Sequence, residues 1–121
     1  MEPVRFERHK GRDILIVDLS ECRTQDEGIS VLERGEQVIK SQAPKSVFLL
    51  TDFGELRYDV NGVEAVKNYS NAITPYVRAS AVLGVGGIKR VILRTVTRLT
   101  GGNIMPFDDI NLAKEWLCEQ P

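Results

Sequence analysis

The residues best suited to chemistry lie where apolar runs give way to short polar or glycine-rich loops. Ser46–Leu50 (SVFLL) reads as a buried strand and runs directly into Thr51, Asp52, Phe53, Gly54, Glu55, Arg57 and Tyr58. A hydroxyl and carboxylates placed there can hold a ligand, a metal ion or a partner's backbone amides. The reason is that α/β folds bind in the crevice beyond the carboxyl ends of their parallel strands. The same residue types also close turns unaided, since Asp and Thr side chains take up nearby loop amides. Both readings stand on sequence.

A second candidate is Leu83-Gly84-Val85-Gly86-Gly87-Ile88-Lys89-Arg90, a glycine-rich turn between an apolar strand and a helix start. Free amides and a helix dipole at Gly84, Gly86 and Gly87, with Lys89 and Arg90 beside them, suit an anion. The spacing is neither GxGxxG nor GxxxxGK(S/T), so no dinucleotide or nucleoside-triphosphate site follows from it. Tight strand-to-helix turns also use glycine with no ligand. Third, Arg90, Arg94 and Arg98 recur at i, i+4 and i+8 and share one helix face. That face can meet an acidic protein surface, anionic lipid or phosphate, yet an exposed helix face is charged without any such role. Without interleaved aromatics it makes no case for specific nucleic-acid binding.

Other reactive types stand alone. His9 is the only histidine, and Cys22 and Cys118 form no CxxC pair. No metal-ligand spacing, conventional triad or cofactor fingerprint can be assembled from them, so we expect no metal, no cofactor and no catalytic residue. Each cysteine reads as a small, buried or half-buried hydrophobe. Trp116 matches a helical core stripe. Tyr58, Tyr69 and Tyr76 gather around one helix and suit a pocket or an interface.

The elements that must position these groups follow from periodicity. Val4–Glu7 alternates as an edge strand does, Gly11-Arg12-Asp13 turns the chain, and Ile14–Val17 is uniformly apolar like a strand covered on both faces. Thr24 and Glu27 have capping-box spacing ahead of a helix carrying Gly28, Val31, Leu32, Gly35, Val38 and Ile39 on one side. Two glycines on that side imply close approach of helix to sheet. Asp59 or Asn61 caps a second helix with Val63, Val66, Tyr69 and Ile73 inward. Arg78–Leu83 is a further interior strand, followed by a helix over Ile88–Leu99. Asn103–Phe107 is a short edge strand, because Pro106 cannot donate to a central ladder. Asp108 then caps a last helix with Leu112, Ala113, Trp116 and Leu117 inward. The order β-β-α-β-α-β-α-β-α predicts an α/β fold with a mixed, mostly parallel sheet.

Composition agrees with one domain over residues 1–121. Sixteen Lys and Arg nearly cancel 17 Asp and Glu, which leaves no overall field to steer nucleic acid. The segment MEPVRFERHKGRD has no signal-peptide core, and no stretch approaches the ~20 apolar residues that span a bilayer. A chain that is not transmembrane and sits in the cytoplasm is the expectation. Pairing with a second copy is available through either edge strand, Val4–Glu7 or Asn103–Phe107.

The segments ILIVDLSEC (14 to 22), PKSVFLLTDFGELRYD (44 to 59), PYVRASAVLGVGGIKRVIL (75 to 93) and MPFDDINLAKEWL (105 to 117) resemble the STAS-like (SpoIIAA-like) superfamily. The similarity is nearest to its small single-domain bacterial members. It implies helices packed mainly on one face of the sheet and a regulatory role in protein–protein contact. Related anti-sigma factor antagonists carry a phosphorylated serine at the start of the helix after the strand matching Ser46–Leu50. The matching stretch here, Asp52–Asn61, contains no serine, so that switch does not carry over. The resulting expectation is a non-enzymatic regulatory or protein-interaction module. It would present an exposed apolar patch containing Phe53, Leu56 or Tyr58. The alternatives are a carrier of a small molecule, nucleotide or lipid and, behind it, a small enzyme using Asp52 or Glu55.

Overall fold

In the computed structural model, which describes residues 2–84 and 103–121, the chain opens with a hairpin. Lys10 and Gly11 both have positive φ (49° and 80°), the twist that a two-residue hairpin loop needs. Strand β1 (Val4–His9) therefore pairs antiparallel with β2 (Arg12–Asp18). The turn sits one residue before the expected Gly11-Arg12-Asp13, because Arg12 already belongs to the ladder opposite His9.

Helix α1 (Gln25–Lys40) follows, then β3 (Val47–Asp52), α2 (Val60–Ile73), a single 3-10 turn (Thr74–Tyr76), β4 (Val77–Leu83), β5 (Ile104–Phe107) and α3 (Ile110–Glu119). The five described strands lie in the order β1-β2-β3-β4-β5, with every pairing after the first parallel. The mixed, mostly parallel α/β sheet is thus as expected, with β1 and β5 at its edges. The helix expected over Ile88–Leu99 lies outside the described residues. No described helix is long and apolar enough to cross a membrane.

Alternation along the strands divides the core in two. Leu15, Val17, Leu49 and Val82 meet Val31, Leu32 and Ile39 of α1 and Tyr69 and Ile73 of α2. Ile14, Ile16, Leu50, Ala81 and Leu83 meet Ala113 and Leu117 of α3 on the other face. Two described helices share one face and the third takes the other. Both glycines of α1 lie over side chains of the sheet or its loops. A Cβ on Gly35 would come within 2.9 Å of Val17 Cγ2, and one on Gly28 within 2.8 Å of Leu56 Cδ1. Close approach offsets the ~1 kcal/mol that each glycine costs the helix.

α3 departs from expectation in two details. Its cap is Asp109, whose carboxylate accepts from the N–H of Asn111 (2.7 Å) and Leu112 (3.1 Å); it is not Asp108. Leu112 is 62% exposed. Ala113 and Leu117 define the inward line at i and i+4, and Leu112 is turned away from Ala113 by about 100°. Trp116 does pack inward, 5.7 Å from the Phe107 ring.

α3 is also tied to the hairpin by charge. Lys114 meets Glu7 at 2.9 Å, and Glu115 meets Lys10 at 2.7 Å and His9 at 3.1 Å. Arg12 donates to the carbonyls of Leu117 and Gln120, where a cation suits the helix C-terminus. The Lys114 hydrogen bond holds the Glu7 carboxyl below its ordinary 4.5, and Lys10 and then His9 do the same for Glu115. Asp18 is also lowered, since Ser20 and Arg5 outweigh its burial. Groups depressed on folding contribute stability that is present above the unfolded pKa and is lost as pH falls through the folded one. The urea midpoint should therefore be level above about pH 5 and fall steadily below it. Lys114→Met should flatten that slope without abolishing it, as a midpoint-against-pH series will read.

Candidate functional site

The carboxyl ends of β2, β3 and β4 come together through main chain. Asp52, the last residue of β3, accepts the Gly54 N–H at 2.9 Å and folds the loop sharply back. Gly54 then passes beneath the β2 exit with φ 59°, where a Cβ would lie 2.9 Å from Ser20 Cα. Gly84, leaving β4 with φ 79°, lies against it, and a Cβ there would come within 2.4 Å of the Gly54 carbonyl oxygen. Only glycine fits both the conformation and the space.

Over this junction opens a cleft of about 900 Å³. Arg23 and Gln25 at the head of α1, Glu55 and Arg57 after β3, and Asp108 and Ile110 at the head of α3 stand around it. The helix heads are capped locally. Thr24 Oγ1 accepts the Glu27 N–H at 3.2 Å, the first half of the expected box, while the Glu27 carboxylate reaches one residue past the cap and accepts the Arg23 N–H at 3.1 Å. Asp59 caps α2 through the Gly62 N–H (3.0 Å), which decides between Asp59 and Asn61. Gln25 locks the two helix heads together: its Nε2 donates to Asp59 Oδ1 (2.8 Å) and its Oε1 accepts the Asp59 N–H (2.9 Å). These bonds, Gln25 first, hold the Asp59 carboxyl below its ordinary value.

Two candidate segments named separately from sequence meet here. Asp52, Gly54, Glu55 and Arg57 from one, and Gly84 from the other, all line the cleft. Gly86, Gly87, Lys89, Arg90, Arg94 and Arg98 lie outside the described residues. Thr51 is 1% exposed, and its hydroxyl lies 3.3 Å from Tyr69 Oη within the core. Phe53 and Leu56, expected on an exposed apolar patch, are instead 7% and 8% exposed. The loop folds inward so that Leu56 covers Gly28 and Phe53 meets the Tyr58 ring edge-on at 6.3 Å. Burial raises the Tyr58 phenol to about 12 and lifts Tyr69 further, as befits core tyrosines.

Sequence reasoning missed Arg23, Gln25, Asp108 and Ile110. The available signal was positional: every loop leaving a parallel strand opens on the same side of the sheet, including those after β2 and β5.

The reactive types do not assemble. Burial, then Glu27, Asp18 and Glu21, raise the half-buried Cys22 thiol, so it stays protonated at neutral pH. His9 ends β1 opposite Arg12, whereas the cleft lies beyond Asp18. That separation is about 20 Å along β2 at ~3.3 Å per residue. Among the described residues no group of three His, Cys, Asp or Glu side chains can hold a metal ion.

No protein-family model, no curated protein and no solved structure matches the chain. The candidate site therefore rests on its own geometry.

Proposed function

We propose that this chain is a non-enzymatic, STAS-like regulatory module of the cytoplasm that binds another protein through the cleft. The observation that carries this reading is the open cleft itself, with charges of both signs at the strand ends. A small-ligand site normally buries 70–90% of its occupant, whereas an open rim of charge suits a polar segment of a larger partner. The family's phospho-serine switch is absent from the proposal. Asp52–Asn61 has no serine, and the nearest hydroxyl, Thr51, is buried against Tyr69. An enzymatic role for Asp52 finds little support, because that carboxylate already serves the Gly54 amide.

A small anionic or polar ligand is the second reading, favoured by volume: about 900 Å³ lies near the top of the usual range for such sites.

Affinity isolation of the tagged chain from its native cells, read by native mass spectrometry, tests both. We expect a stoichiometric protein partner that Glu55→Lys with Arg57→Glu weakens at least about ten-fold. Glu33→Lys, on the outer face of α1, should leave the partner bound. A partner unaffected by the cleft variants would sink the assignment of the surface. A fixed extra mass of a few hundred daltons, with no protein, would transfer the site to the second reading.

A further inference from the structure

We propose that β1 pairs with the β1 of a second copy of this chain, antiparallel and centred on Phe6, so that two sheets become one. Among the described residues β1 is a terminal strand of the sheet, and its outer edge has a definite phase. The Asp18 N–H donates to the Pro3 carbonyl at 2.7 Å, and the register runs unbroken from Val4 opposite Val17 to His9 opposite Arg12. Hydrogen-bonded and non-bonded pairs alternate along an antiparallel ladder. The backbone groups of Pro3, Arg5, Glu7 and His9 therefore face β2. Those of Val4, Phe6 and Arg8 face outward.

A two-fold antiparallel pairing must join outward groups to outward groups, which leaves few registers. Centring on Arg5, Glu7 or Arg8 sets that charged residue against its own copy, and centring on Val4 leaves Arg5 opposite Pro3, with no charge partner. Like charges directly opposed are destabilising. Centring on Phe6 instead sets Arg5 opposite Glu7 of the second copy, twice over, and Phe6 opposite Phe6. That register alone is complementary in charge. It also covers Phe6, which is 52% exposed and has no place in the core.

Charged residues on an edge strand ordinarily discourage pairing. Here Arg5 Nε already meets Glu7 Oε1 within the strand at 3.3 Å, beside Asp18 (3.5 Å) and Lys114 (2.9 Å), so pairing in this register brings the in-strand pair together with its two-fold copy as alternating charges. The other edge is blunted, because β5 has only four residues and Pro106 has no N–H to offer. One short ladder and one ring pair make a small interface, so the dimer is reversible, in the micromolar-to-millimolar range. The inference does not depend on what fills the cleft.

Sedimentation equilibrium over a wide concentration range tests it. Wild type should pass from monomer to dimer. Phe6→Pro deletes the central outward N–H while leaving every β1–β2 bond in place, and should stay monomeric with an unchanged circular dichroism spectrum. Arg5→Glu alone and Glu7→Arg alone should each be monomeric, since each sets like charges across the two-fold axis. Mixed one to one, they should form a heterodimer in which both cross-strand pairs are opposite again, which no misfolded variant could do. Wild type that remains monomeric at millimolar concentration, a dimer that survives Phe6→Pro, or a mixture that stays monomeric would each overturn the proposal.

Discussion

Phe53→Asp is expected to unfold the chain at neutral pH, while Phe53→Leu leaves it folded with a modest loss. Phe53 is 7% exposed and packs edge-on against Tyr58. Removing a buried phenylalanine costs about 3–5 kcal/mol. Placing an unpaired carboxylate in the space adds several more. Together these rival the whole stability of a domain this size, about 5–15 kcal/mol. The leucine variant keeps an apolar group and should lose about 1–2 kcal/mol. Urea denaturation with far-UV circular dichroism reads both. An aspartate variant that folds with wild-type stability would mean that the loop after β3 is exposed in solution, restoring the apolar patch that the sequence suggested.

Gly84→Ala carries the second largest effect, and Gly11→Ala is its control. The two glycines have almost the same φ, 79° and 80°. Each substitution therefore incurs a similar penalty, about 1–2 kcal/mol, for placing a side chain in the left-handed region. They differ in surroundings. A Cβ on Gly11 meets nothing within 4 Å, whereas one on Gly84 would lie 2.4 Å from the Gly54 carbonyl oxygen and 2.8 Å from its nitrogen. Main chain cannot step aside as a flexible side chain can, so the β3 exit must move, at a further cost of about 1–3 kcal/mol. Gly84→Ala should thus lower the melting temperature by about 10 °C or more, and Gly11→Ala by clearly less. Equal losses at the two positions would show that the strand ends are not packed main chain to main chain.

Much of the scaffold was legible because its signals are local. The unbroken apolar run Ile14–Val17 announced a strand covered on both faces, and both faces are covered. Gly28 and Gly35 announced a helix close to the sheet, and Leu56 and Val17 occupy the space they leave. Thr24 caps the helix as its spacing with Glu27 announced, though Glu27 reaches back to Arg23 instead of to the cap itself. What could not be read was direction in segments without a period. Phe53, Leu56 and Tyr58 stand in a loop, where no alternation says which way a side chain points; only the tertiary approach of α1 turns them inward. Asp108 and Asp109 are chemically equal as caps, and a shift of one residue was enough to misplace Leu112. The cleft drew on positions as distant as Arg23 and Asp108, and only the topology of the sheet brings them together.

The meeting of Gly54 with Gly84 divides the labour between two parts of the molecule. At that point the base of the cleft is main chain, which is the same whatever side chains surround it and cannot be retuned by substitution without loosening three strands at once. Preference for one occupant over another must therefore be written on the rim. Exposed rim positions such as Arg23, Glu55 and Arg57 can each change at a stability cost within about 0.5 kcal/mol. On the proposed reading of the cleft, a foundation that resists alteration beneath a rim that accepts it freely would let such a domain be redirected to new partners by a handful of exchanges while its fold stays the same.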